Sequence, residues 1–430
     1  MPPSQPRLPA SAVPRRVTIW LIGQVIEEGR LLADLAESPE VQALDPSDRA
    51  RAMRLAAETL RLMSRADRTL APFLARRPPP EVTHALRLAT VELAQGAAAH
   101  GVINDIVGIL GADRRLAGLK GLANAVLRKV ALTNPAAWAA LPVPLMPPWL
   151  RAPVVRAWGR PVTVAIEAAH LAGAALDLTA KGDPAEVAAM TGGIVLPTGS
   201  VRLADPGQVS ALPGYAEGAW WVQDAAAAIP ARAIGATPGM RVLDLCAAPG
   251  GKTMQLAAAG AEVTALDASA TRLERLTANL SRSGLQARVV CADVFDFAET
   301  GWDAILLDAP CSATGTIRRH PDLCFARDGG QIGLLAERQG AMIDHALGLL
   351  KPGGRLVYAV CSLLTSEGEA QAATALARHP GLTLDRRALD LPGIAPDWIT
   401  PEGALRLRPD QWPDLGGLDG FFVAAFRKSE

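Results

Sequence analysis

The strongest constraint in this sequence is a change of hydrophobic period. After Pro238-Gly239, short β-type runs alternate with helical stretches: 241–246, 262–268, 287–291, 304–308, 355–360 and 421–426. Strand, helix, strand repetition implies a parallel sheet with helices on both faces, and such sheets place their ligands at the carboxyl ends of the strands. The chain before that point has another character. From Val17 to about Val130 it is nearly all helix formers with apolar residues at three and four spacing, broken at Ser38-Pro39, Pro78-Pro79-Pro80 and Gly111, which predicts an all-α bundle. A proline-rich stretch from Pro135 to Pro161, carrying Trp138, Trp149 and Trp158, reads as a linker. The mixed pattern that follows, with runs such as 193–196 and 220–222, reads as a small α+β module. The expected organisation is multi-domain: a disordered lead over 1–16, a helical domain over 17–140, linker and α+β module over 141–235, and an α/β domain over 236–430.

Composition excludes several classes. Half of the 430 residues are hydrophobic and charges balance at 43 against 43, so the chain can build cores and is not a disordered protein. The most apolar long stretch, 131–150, is interrupted by five prolines, which argues against a membrane span. The first sixteen residues hold five prolines and no apolar segment of the kind a secretory signal needs. Five cysteines (246, 291, 311, 324 and 361), odd in number and without CxxC spacing, predict free thiols, a cytoplasmic setting and no metal site. Residues 1–150 carry 18 basic against 13 acidic side chains, so the front half is the part suited to a polyanion. Within 48–70, one helical stripe gathers Arg51, Arg54, Arg61, Arg65 and Arg68 opposite Met53, Ala56, Leu60, Met63 and Leu70; it is either a solvated face or a phosphate-contacting ridge.

The first strand of the last domain runs into Asp244-Leu-Cys246-Ala247-Ala248-Pro249-Gly250-Gly251-Lys252-Thr253 and then a helix. Small residues at 246–251 let backbone approach a ligand at a helix N-terminus. A P-loop would need glycine at 246, where cysteine stands, so ATP hydrolysis drops to a minor alternative. Asp267 closes the second strand, the position from which a carboxylate reaches ribose hydroxyls, and Asp293 follows the third, where it could meet an adenine edge; either could instead be a cap or turn former. Together they favour an adenosine-bearing cofactor.

The fourth strand delivers Asp308-Ala-Pro-Cys311-Ser-Ala-Thr-Gly-Thr316 and then a basic loop, Arg318-Arg-His-Pro-Asp322; the fifth ends at Cys361-Ser362. If the two strands are neighbours, both thiols lie near the cofactor, whereas Cys291 and Cys324 read as buried small hydrophobes. Carbon 5 of cytosine is a poor nucleophile. A thiolate that adds to carbon 6 converts it into an enamine able to attack a methyl donor, and an acid at ring N3 stabilises the charge that develops.

These motifs, with the closing Asp419-Gly-Phe-Phe422, resemble the S-adenosylmethionine-dependent RNA cytosine-C5 methyltransferases of the Fmu/Sun type, which act on small-subunit ribosomal RNA. The front part, with His100-Gly-Val-Ile-Asn104 and Gly121-Leu-Ala-Asn124-Ala-Val-Leu-Arg128, is similar to their NusB-like RNA-binding helical domain. The resemblance implies a Rossmann-like methyltransferase domain that holds S-adenosyl-L-methionine with Cys246 to Lys252, Asp267, Asp293 and Asp308. It implies Cys361 as nucleophile and Cys311 in product release, with Asp308 at ring N3 and Lys252 in the catalytic group. The expected partner is free or partly assembled 16S ribosomal RNA, met by a monomer. One departure stands out. The family usually has Thr-Cys-Ser and then an acidic-Asn pair, whereas this chain reads Val360-Cys361-Ser362 and Glu367-Gly368-Glu369, so different support around the nucleophile is expected. A reading of another class, a non-catalytic RNA-binding assembly factor that keeps the pocket as a scaffold, is the alternative.

Overall fold

The computed structural model describes residues 8–204 and 207–430. The chain forms two compact units: residues up to Arg151 together with Arg319–Asp328, and Ala152–Arg318 together with Gly329–Glu430. Among the described residues no helix is long and apolar enough to cross a membrane.

The first unit is all helix, packed around one apolar cluster that includes Leu21, Ile22, Leu35, Leu60, Leu86, Leu88, Ile106 and Leu127. Of the expected lead, residues 1–7 lie outside the described residues, and the first helix already starts at Ala12 and runs to Glu28. Arg15, inside the stretch expected as a disordered lead, is 6% exposed. It is gripped by both oxygens of Glu92 at 2.7 Å and by Asp105 at 2.5 Å, so tertiary partners overrode the local signal. The expected helix over 48–70 divides at Leu62 (φ −101°, ψ 8°) into Pro46–Arg61 and Met63–Leu70. Its apolar side is placed as expected, with Ala56, Leu60, Met63 and Leu70 buried, but the arginine ridge is dispersed. Arg61 leans on Glu58 at 3.6 Å, Arg65 donates to the carbonyls of Leu141 and Pro142, and Arg54 and Arg68 remain exposed.

Helical turns over Pro148–Ala172, broken at Gly159 (φ 79°), lead from the first unit into the second; the stretch read as a linker is thus largely helix. A small antiparallel sheet follows, of β1 (Leu176–Ala180), β2 (Ile194–Val195), β3 (Val201–Leu203) and β4 (Trp220–Val222), in the order β2-β3-β1-β4. The large sheet contains β5 (Arg241–Leu245), β6 (Glu262–Asp267), β7 (Arg288–Cys291), β8 (Trp302–Asp308), β9 (Leu350–Val360), β10 (Leu382–Leu384), β11 (Leu405–Leu407) and β12 (Phe421–Lys428). Its order is β10-β12-β9-β8-β5-β6-β7, with β11 also on β12.

Five of these strands are parallel, as the repetition implied, but β12 lies antiparallel to β9, β10 and β11. The link from β11 to β12, residues 408–420, holds only turns and one short 3-10 turn, Pro413–Leu415, which suits an antiparallel return and not a helical crossover. Alternation along the strands builds two cores. Ile305 and Leu307 face the helix Ile332–Leu349, while Ala304 and Leu306 face the side of Ile229–Ile234.

Candidate active site

The turn after β5 is shaped by its own backbone. Cys246 adopts φ 60° and Gly250 φ 103°, and the amide of Gly250 donates back to the carbonyl of Ala247 at 2.9 Å. A Cβ on Gly250 would stand 2.9 Å from Leu276 Cγ, so glycine is required there both for its dihedral and for space. The helix Gly251–Ala258 starts immediately after. Asp267, 3% exposed at the end of β6, accepts from the amides of Ala248 (3.1 Å) and Ser269 (2.9 Å) and faces Arg272 at 3.5 Å. It therefore moulds the turn in addition to any contact with a ligand.

Asp244 is fully buried and takes the hydroxyl of Thr253 at 2.6 Å on one oxygen, while the other has no hydrogen-bond partner. Burial pushes its pKa up to about 7 even though the Thr253 bond and Lys252 pull the other way. A small-residue turn at a helix N-terminus, with a buried acceptor left unspent beside it, suits a cofactor that brings donors of its own. Cys246 is no nucleophile: burial, followed by the carboxylates of Asp308, Asp267 and Asp244, pushes its thiol up to about 12. Asp293 serves as a cap. It accepts from the amide of Phe295 at 3.0 Å and pairs with Arg338 at 2.7 Å, contacts that hold it below the ordinary carboxylate value against a small desolvation.

β8 and β9 are parallel neighbours with Asp308 opposite Ala359, and the thiols that follow them meet: Cys311 Sγ and Cys361 Sγ are 3.5 Å apart. The hydrogen bond with Cys361, then burial, holds the Cys311 thiol well above its usual range, so Cys311 keeps its proton at neutral pH. Lys252, from the turn, reaches Asp308 Oδ2 at 2.6 Å and lies over the ring of Phe421. Burial disfavours its charge, but Asp308, Asp244 and Cys361 outweigh that and leave its pKa raised. Cys291 is exposed, contrary to the expected buried hydrophobe, because β7 is the edge of the sheet. Cys324 is half-buried, and burial pushes it up to about 12.

The sequence did not reveal what holds the thiols. Glu367, 0% exposed, accepts from Ser312 N (2.9 Å), Ser312 Oγ (2.5 Å), Ser362 Oγ (2.5 Å) and Gln339 Nε2 (3.1 Å), and Tyr358 donates to its carbonyl at 2.5 Å. The altered run after Cys361 is therefore well supported. At Gly368 a Cβ would meet Arg406 Nη2 at 2.4 Å. The arginine uses that space to donate to the carbonyl of Ser362 at 2.5 Å and to pair with Glu369 at 2.6 Å. The available signal was an acidic residue six positions after a strand-end cysteine.

The expected basic loop is not one. Arg318 is 0% exposed, held by Asp224, by Asp419 at 2.9 Å and by the carbonyl of Gly416 at 2.9 Å, and Gly420 N donates to Gly315 O at 2.8 Å. Arg319–Asp328 continues into the first unit, where Asp322 accepts from the amide of Leu32 at 2.9 Å.

Comparison with known proteins follows the same division. Residues 232–427 match the family described as 16S rRNA methyltransferase RsmB/F, and residues 13–132 match the NusB family. The first of these matches takes in the turn at 246–252, both thiols and Glu367. Ribosomal RNA small subunit methyltransferase B of Pseudomonas syringae pv. tomato is 43% identical over 239 residues, 53% of this chain and 51% of that protein. The protein of the same name from Klebsiella pneumoniae subsp. pneumoniae is 49% identical over 191 residues, 43% of this chain and 44% of its own length. The chain thus spans about half the length of the curated relatives it matches. The crystal structure of PH0851 superposes with a TM-score of 0.75 at 22% identity, covering 99% of this chain and 100% of that one, a likeness of fold. A methyltransferase homolog protein from Pyrococcus horikoshii gives 0.54 at 26% identity over 64% of this chain and 93% of its own.

Proposed function

We propose that this chain methylates carbon 5 of a cytosine in 16S ribosomal RNA with S-adenosyl-L-methionine, by way of a covalent bond between Cys361 and carbon 6 of the base. The observation that carries the reading is the pair of thiols 3.5 Å apart at the ends of neighbouring strands, beside the Lys252–Asp308 ion pair. The RsmB/F match over the same residues supports it. The turn 246–251, Asp267 and the unspent oxygen of Asp244 would hold the cofactor, with Asp293 bordering the adenine; when bound, its sulfonium supplies an electrophilic methyl group.

The protein's part is then as follows. Cys361 adds to carbon 6 and makes carbon 5 nucleophilic. Asp308 keeps Lys252 on one oxygen, and by way of the other the proton of the attacking Cys361 thiol passes to ring N3, so that no negative charge builds up there. Cys311 is held protonated by its bond to Cys361. Once Cys361 is committed as a thioether that bond is lost; Cys311 then releases its own proton to solvent and, as a thiolate, takes the carbon 5 proton, after which elimination returns Cys361, N3 gives back its proton and the ring is restored. The base must leave its stack to reach this site, and the NusB-family bundle, with its basic excess, would dock the RNA.

The test is transfer of labelled methyl to unmodified 16S RNA, with bisulfite mapping of RNA from cells lacking the protein. Cys361→Ala lowers transfer by about a thousandfold or more, whereas Cys311→Ala accumulates a covalent RNA–protein adduct. Swapped outcomes reverse the two roles. Tight RNA binding by active protein with no transfer on any RNA would replace this reading with a non-catalytic assembly factor.

A further inference from the structure

We propose that Glu367 is the positioning residue of the thiol pair: its buried carboxylate ties Ser312 to Ser362 and so sets the distance and facing of Cys311 and Cys361. The inference rests on the reading of these thiols as the reacting groups.

Each serine directly follows one of the cysteines. Oε2 of Glu367 takes both hydroxyls at 2.5 Å, and Oε1 takes the Ser312 amide at 2.9 Å and Gln339 at 3.1 Å. One carboxylate thus holds the residues next to both sulfurs, leaving each thiol little beyond its own side-chain rotation. Four donors converge on a group with four lone-pair sites. Around them the hydroxyls of Ser312, Thr314 and Ser362 lie 3.1–3.3 Å from one another, and the Leu363 and Leu364 amides donate to Thr314 and Ser362 at 2.9 and 3.0 Å.

The setting makes a purely stabilising role a poor explanation. All four groups that donate to the carboxylate are neutral, and burying a charge on such support is costly compared with apolar packing. Such a cost is retained where it serves a function. Here the residues it fixes flank two sulfurs whose separation the chemistry needs, and misplacement of reacting groups by about 1 Å costs about a hundredfold in rate.

Phenylarsine oxide reads that separation without any methyl transfer. It forms one arsenic–sulfur bond to each of two nearby thiols and releases its oxygen as one water. Wild-type protein binds one arsenical per chain in a way that Cys311→Ala and Cys361→Ala each abolish. Glu367→Gln keeps the shape but turns one acceptor oxygen into a donor, so capture rate and kcat fall between those of wild type and Glu367→Ala. Glu367→Ala slows capture about tenfold and lowers kcat about a hundredfold with KM for RNA within about threefold. A folded Glu367→Ala protein that captures at the wild-type rate, or that loses KM and not kcat, overturns the proposal.

Should Glu367→Ala fail to fold, the double variant Ser312→Ala/Ser362→Ala keeps the carboxylate and removes both hydroxyl tethers. Slower capture there supports the proposal and wild-type capture overturns it. A wild-type protein that captures the arsenical but methylates no RNA removes the proposed reaction and leaves the positioning role to be decided by capture alone.

Discussion

The turn at Asp244–Lys252 and the thiol site stand on the same sheet but are built by different rules. The turn is a run of consecutive residues whose shape comes from a bond between near neighbours, Gly250 N to Ala247 O, and from one carboxylate a strand away, Asp267. The thiol site is assembled from the loops after β8 and β9, from Gln339, Glu367 and Arg406, and from the Gly420 turn. A binding turn can be written in ten letters. A reaction centre of this kind is written across a hundred, and its stability depends on buried charge where the turn depends on backbone.

If that contrast is right, breaking the long-range half costs most. Arg318→Leu removes the guanidinium that pairs with buried Asp224 and Asp419; unfolding in denaturant should show a loss of about 3–5 kcal/mol, and a loss under 1 kcal/mol would show that the network is not a determinant of stability. Next comes Asp244. In the unfolded chain this carboxyl ionises near 3.8, and in the fold near about 7, so between those values the folded state holds a proton that the unfolded state has released. Its contribution therefore falls as pH rises through that window and is level above it, by up to about 4 kcal/mol. The stability difference between wild type and Asp244→Asn should fall from pH 4 to 7 and then stay level; a flat difference would mean an ordinary carboxyl. Smallest is the local half. Gly250→Ala places a Cβ at φ 103° and 2.9 Å from Leu276, which costs about 1–3 kcal/mol, and it should weaken binding of S-adenosylmethionine in calorimetry while leaving arsenical capture unchanged.

What was legible follows the same line. The five parallel strands and the acids and thiols at their ends are visible because alternation, a glycine-rich turn and strand-end residues are local signals. From these, the meeting of Cys311 and Cys361 needed only that β8 and β9 be neighbours. Glu367 was visible only as a departure from an expected run, since its partners Ser312 and Gln339 lie 55 and 28 residues away. Arg318 looked like part of a basic loop because its neutralising aspartates are 94 and 101 residues distant. Arg15, in the stretch expected as a lead, has its carboxylates 77 and 90 residues away, equally beyond local signals. The antiparallel β12 escaped because strand direction depends on the crossover, not on the composition of the strand.

β12 inserts between β9 and β10, and the turn just before it brings Asp419 to Arg318 and Gly420 to Gly315. In chain order, β12 follows every other strand of the sheet. The turn at Asp244–Lys252 closes on near neighbours, whereas Arg318 waits for a partner 101 residues further along the chain.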